Sequence, residues 1–183
     1  MKTAIQDTGI IVHTRRYSET SLILTWLTHH HGIITTMAKG ALRKKQKNYP
    51  HLDLFYEARI QFSKSTSSQL HSLTEALVQS QNSYLQKNYT ALLTASCYYD
   101  LISSLAEKDT PITELFELYI KAVHYLDKAS PSVKILEHFE RRLYQMLGLD
   151  DGNQPLLRTR QRCFSSGMPE SYAKLMKLLK PDF

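Results

Sequence analysis

The sequence predicts an α+β chain in two domains, a small β-barrel followed by an all-α helical bundle. Three observations carry this. Residues 1–80 contain short β-branched runs with alternating apolar residues and polar turns between them. From Asn82 onward the apolar spacing changes to three and four. The charge divides at the same place: residues 1–80 hold ten Lys and Arg against five Asp and Glu, residues 81–183 thirteen against twelve. The boundary is therefore set at 1–80 and 81–183. With 183 residues, 42% of them hydrophobic, the chain has the apolar material for a core.

The strands follow in order. Ile10 to Tyr17 is short and β-branched, and Ser18-Glu19-Thr20-Ser21 has turn composition. Ser21 to Thr28 sets Leu22, Leu24 and Trp26 on one face and Ile23 and Leu27 on the other. His29-His30-His31-Gly32 closes a hairpin, with Gly32 free to take positive φ. Ile33 to Lys39 is the third strand. Leu52, Leu54, Tyr56, Ala58, Ile60 and Phe62 alternate with Asp53, Phe55, Glu57, Arg59, Gln61 and Ser63, a half-buried fourth strand. Gln69 to Glu75 completes five. Without a crossover helix these imply an antiparallel sheet, and so small a sheet closes on itself to remove its edges. A five-stranded Greek-key barrel of the OB-fold type is the economical form, with an SH3-like barrel as competitor.

The helices follow. Leu85, Tyr89, Leu92, Ser96, Tyr99, Ile102 and Ala106 share a face of the first. Thr110-Pro111 starts the second, burying Ile112, Leu115, Phe116, Tyr119, Val123 and Leu126. Ser130-Pro131 starts the third, with Val133, Leu136, Leu143 and Leu147 inward and Gly148 as its stop. Glu137 and Arg141 on its outer side are spaced to pair. Asp150 to Gly167 reads as a loop, and Tyr172, Leu175, Met176 and Leu179 mark a short last helix.

Function is sought in the stretch Lys39–Pro50. It packs five cations, Lys39, Arg43, Lys44, Lys45 and Lys47, and no acid into nine residues. Gly40 and Pro50 bracket it as a loop. Such a loop is either a solvated surface or a clamp on a polyanion, with nucleic-acid phosphate the first candidate. Tyr17, Tyr49 and Phe55 lie beside cations or on the outer strand face and are the candidates for base stacking.

Other chemistry finds little support. GxGxxG, GxxxxGK and GxSxG are all absent. Adjacent residues of a strand face opposite ways, so His29-His30-His31 reads as a turn and no metal or other cofactor is expected. Carboxylates do not cluster as a two-metal nuclease requires, so no catalytic residues are assigned and the chain is read as a non-enzyme. There is no apolar run of about eighteen residues and no signal-like N-terminus. Cys97 and Cys163 are too few for a disulfide framework. These features predict a cytoplasmic protein with free thiols and no membrane partner.

Gly9-Ile10-Ile11-Val12-His13-Thr14-Arg15-Arg16-Tyr17-Ser18-Glu19-Thr20-Ser21-Leu22-Ile23-Leu24, then Leu27-Thr28-His29-His30-His31-Gly32, then Ala38-Lys39-Gly40-Ala41-Leu42-Arg43-Lys44, resembles the start of the bacterial recombination mediator RecO family. The resemblance is close over about 40 residues, and the layout extends it to about Leu149. It implies a DNA-repair and recombination protein that binds single- and double-stranded DNA and anneals complementary strands. It also implies work with RecR to load the RecA recombinase, and binding of the acidic C-terminal tail of the single-stranded-DNA-binding protein by the helical domain. Arg15, Arg16, Lys39, Arg43, Lys44, Lys45 and Lys47 become candidates for the phosphate backbone, and Arg141 and Arg142 for the tail pocket. Many members carry a four-cysteine zinc site after the third helix. This chain has only Cys163 there, so a short form without the metal is expected. The alternative is an adaptor whose barrel docks acidic peptides without touching DNA.

Overall fold

A computed structural model describes residues 4–43, 50–106 and 113–179. Five strands come first: β1 (Ala4–Arg16), β2 (Leu22–Thr28), β3 (Gly32–Ala38), β4 (Glu57–Ser63) and β5 (Leu70–Ser80). They form a closed barrel in the order β1-β2-β3-β5-β4. Each neighbouring pair is antiparallel except β3 with β5, which run parallel through Thr35–Met37 and Leu70–Ser72. The sheet is thus not purely antiparallel, because a Greek-key order brings the last strand beside the third in the same direction. This is the five-stranded OB arrangement.

Alternation fills the barrel. Leu22, Leu24 and Trp26 of β2 meet Ala58, Ile60 and Phe62 of β4 in one core with Ile11, Ile34 and Leu73. Trp26 is fully buried, and its indole N–H donates to the Thr36 hydroxyl at 2.9 Å, so the one polar atom of that ring is satisfied. Gly9 sits where β1 pairs with Thr28 on one side and Ala58 on the other. A Cβ there would lie 3.1 Å from the Thr28 methyl and 3.2 Å from the Leu27 carbonyl, so the close approach needs glycine.

The fourth strand begins five residues later than its alternation suggests. Residues 52–56 make a turn closed by the Tyr56 amide donating to the Asp53 carbonyl at 3.2 Å, with Phe55 at φ 61°. The Phe55 amide donates to Ile11 O at 2.7 Å, and Ile11 N donates to Tyr56 O at 3.0 Å. A left-handed residue breaks the period of two, so Phe55 turns inward and is fully buried.

Six helices follow: α1 (Ser83–Lys87), α2 (Tyr89–Leu105), α3 (Thr113–Leu126), α4 (Val133–Met146), α5 (Leu156–Cys163) and α6 (Glu170–Leu179). The chain divides into two compact units, the barrel with the start of α3 through Phe116, and the remaining helices. The single helix read from Asn82 is two, because Asn88 caps a new start with its side chain accepting from Ala91 N at 3.1 Å. Tyr89, expected inside, is 65% exposed, whereas Tyr119 is fully buried. α3 buries Leu115, Phe116, Tyr119, Val123 and Leu126 as its spacing predicts, while its expected start at Thr110-Pro111 and Ile112 lie outside the described residues. α4 is capped by Ser132 rather than started at Ser130, and Gly148 ends it at φ 67° with Leu149 N donating back to Tyr144 O at 2.8 Å. Residues 156–163, read as loop, are helical, and Cys163 stands on that helix.

Candidate nucleic-acid interface

The β1–β2 turn and the start of the β3–β4 loop are one structure. Tyr17 N donates to Ser21 O at 3.0 Å and closes the turn. Leu42 N donates to Thr20 O at 3.0 Å, and Gly40 N to the Ser21 hydroxyl at 3.2 Å. Gly40 takes φ 72°, which lets the chain leave β3 and fold over the turn. Arg16 pairs with Leu22, and Leu22 with Ala38, so three adjacent strands end side by side.

Arg15, Arg16, Lys39 and Arg43 are exposed on these segments, and Tyr17 stands among them at 61% exposure. The turn also carries Glu19, exposed. One end of the barrel therefore gathers four of the seven cations together with one of the aromatics. Lys44, Lys45, Lys47 and Tyr49 lie outside the described residues. Phe55 does not join them, because its buried ring is closed to any stacking partner. Leu42, 37% exposed beside Arg43, was not marked by any apolar pattern.

The helical unit has its own recess, of about 520 Å³, between α3 and α4. Leu118, Ile135, Phe139 and the ring of Tyr98 supply its apolar wall, with Tyr98 stacked on Phe139 at 3.9 Å. Lys121, Lys134, His138 and Arg142 line it too. Of the two arginines singled out for this domain, Arg142 lines the recess and Arg141 is not among the lining residues. The signal for the other α4 members is their spacing: Lys134, His138 and Arg142 recur every four residues and share a face. Arg141 is not seen to pair with Glu137, whose oxygen instead lies 3.8 Å from Arg160.

Among the described residues no group of His, Cys, Asp and Glu is arranged to hold a metal. No described helix is long and apolar enough to cross a membrane.

Residues 1–81 match the family model described as Recombination protein O N terminal. By sequence the barrel segment is RecO-like. It is 33% identical over 140 residues to "DNA repair protein RecO" of Haemophilus influenzae (strain 86-028NP), covering 76% of this chain and 58% of that protein. The protein of that name from Halalkalibacterium halodurans is 27% identical over 170 residues, 90% of this chain and 63% of the relative. The one from Cellvibrio japonicus (strain Ueda107) is 33% identical over 138 residues, 75% of this chain and 57% of the relative. The chain thus spans between about half and two thirds of the length of the RecO proteins it matches. The barrel segment carries the family match, and the similarity continues through much of the helical segment.

Proposed function

We propose that this protein is a DNA-repair and recombination mediator, a binding protein rather than an enzyme. Its barrel, residues 1–80, holds the phosphate backbone of single- and double-stranded DNA through Arg15, Arg16, Lys39 and Arg43 together with Lys44, Lys45 and Lys47. Tyr17 and Tyr49 supply the surfaces on which unpaired bases stack. The observation that carries this reading is the joining of the Arg15–Tyr17 turn to the Lys39–Arg43 segment by backbone hydrogen bonds, which holds several cations at one end of the barrel. Like charges on one end of a barrel repel one another and are relieved by a polyanion. The names of the relatives agree with it.

In the same reading the helical domain, residues 81–183, receives the acidic C-terminal tail of the single-stranded-DNA-binding protein. Apolar tail residues would enter the recess lined by Phe139, and carboxylates would meet Lys134 and Arg142. Strand annealing, and loading of RecA with RecR, follow as the roles of a protein that holds DNA and a coating protein together.

Changing Arg43, Lys44, Lys45 and Lys47 together to Ala tests the barrel. Each lost contact to a single strand should flatten the log–log salt dependence of binding by about 0.7, so the four together by roughly 3. Affinity and slope equal to the parent protein's would remove this loop from DNA binding. Arg142→Glu tests the recess: it should abolish binding of an acidic tail peptide while leaving oligonucleotide affinity intact. If the quadruple variant instead loses an acidic peptide and the parent ignores oligonucleotides at physiological salt, the adaptor reading prevails.

A further inference from the structure

At the other end of the barrel the three histidines form a turn held from several sides. Asp7 is buried, and its Oδ1 accepts the Thr8 amide at 2.8 Å. Its Oδ2 accepts the His30 amide at 3.1 Å and lies 2.7 Å from His31 Nδ1. The His29 ring meets Phe116 edge-on at 5.3 Å, and the His29 carbonyl accepts the Thr113 hydroxyl at 3.3 Å. A recess of about 210 Å³ opens beside this turn, lined by Gln6, Asp7, Thr8, His29, His30 and Arg59. Arg59 pairs with Thr8 across β1 and β4 and is exposed.

We infer that this recess binds a phosphoryl group. Arg59 offers a planar fork of charged donors, the geometry suited to phosphate oxygens. The Gln6 carboxamide brings N–H donors from another direction. His29 Nδ1 lies 2.9 Å from His30 Nε2, so the two rings bond each other and, while both are neutral, keep one N–H between them for a ligand. The one acid on the wall, Asp7, has its oxygens engaged by three donors, so its charge is largely compensated. Arg59 also borders an adjoining recess lined by Gln61 and Glu75. At this volume the recess takes a single group rather than a drug-sized ligand. Free phosphate and the backbone of a polynucleotide share that chemistry.

The site is separate from the basic end. Thr8 and Arg16 are eight steps apart along β1, about 26 Å of strand. A polynucleotide held here would be a second strand on the same barrel, and the inference stands whether or not the basic end binds DNA.

Nuclear magnetic resonance of the labelled full chain decides it. Inorganic phosphate, titrated against chloride at equal ionic strength, should shift the Thr8 and His30 amides and the His29 and His30 rings. Arg59→Gln, with unchanged Trp26 fluorescence as the check on folding, should weaken that titration at least tenfold. An oligonucleotide is then added to a variant with Arg15, Arg16 and Arg43 changed to Ala. The same shifts would assign the site to backbone phosphate, and shifts with inorganic phosphate alone would assign it to the free ion; either supports the inference. No shift with either probe, a response to Mg²⁺ in place of phosphate, or an Arg59→Gln protein that titrates like the parent overturns it.

Discussion

Glu140 is fully buried, and its oxygens are taken by Arg160 and Tyr144. Arg160 donates from Nε at 2.8 Å and from Nη2 at 2.5 Å, and the Tyr144 hydroxyl donates at 3.2 Å. The guanidinium also lies 5.5 Å from the Tyr172 ring centroid. Removing one partner of such a pair leaves an uncompensated charge inside, at about 3–5 kcal/mol, while replacing both with apolar groups is close to neutral. Glu140→Ala should therefore lower stability in urea by about 3 kcal/mol, and Glu140→Leu combined with Arg160→Met should restore most of it. Equal losses in the single and the double variant would show that packing, not the pair, is at stake. Spacing within one helix had suggested Glu137 with Arg141; it is blind to a partner that arrives twenty residues later in the chain. Phe55 was misread for a related reason: its left-handed backbone turns its own side chain inward, while Tyr56, Ala58, Ile60 and Phe62 keep the buried face the alternation gives them. The exposure of Arg15, Arg16, Lys39 and Arg43, by contrast, followed from their place at strand ends.

Helix boundaries depend on single side chains that satisfy backbone amides. Asn88 ends α1 and begins α2 by accepting from Ala91 N. Periodicity hides this break because apolar residues continue on both sides at helical spacing. Asn88→Ala should cost about 1 kcal/mol, read as a lower urea midpoint with unchanged slope. Gly148→Ala should cost about 1–2 kcal/mol for a different reason. Nothing lies within 4 Å of the added methyl, so only the φ of 67° opposes it. If Gly148→Ala proves neutral, the Schellman stop is not what fixes the end of α4. α3 was legible because its buried residues repeat without interruption. α5 was not: among its eight residues only Leu156 and Thr159 are buried, and three arginines hide the periodicity.

The passage from strands to helices was visible as a change of period near Asn82. The strand order was not, because alternation sets which face of a strand is buried and says nothing of its neighbour. The parallel β3–β5 pair therefore had to come from the structure. The two units also differ in what they bury. Burial pushes the Cys97 thiol up from 9.0 to about 12. Burial likewise raises the phenols of Tyr98, Tyr119, Tyr144 and Tyr172 above their ordinary value of 10.0. All five belong to the helical unit. Each is neutral when protonated, and its folded pKa lies above the unfolded one. Their contribution to stability is complete below about pH 9 and is lost as pH rises, because the unfolded chain releases those protons first. The barrel holds the only tryptophan, Trp26, sealed in its core. Raising the pH from 8 to 12 should therefore erase the helical circular dichroism before Trp26 emission moves to the red. Loss of both signals at one pH would mean that the units unfold as a single cooperative block, and that the buried thiol and phenols of one are borne by the whole molecule.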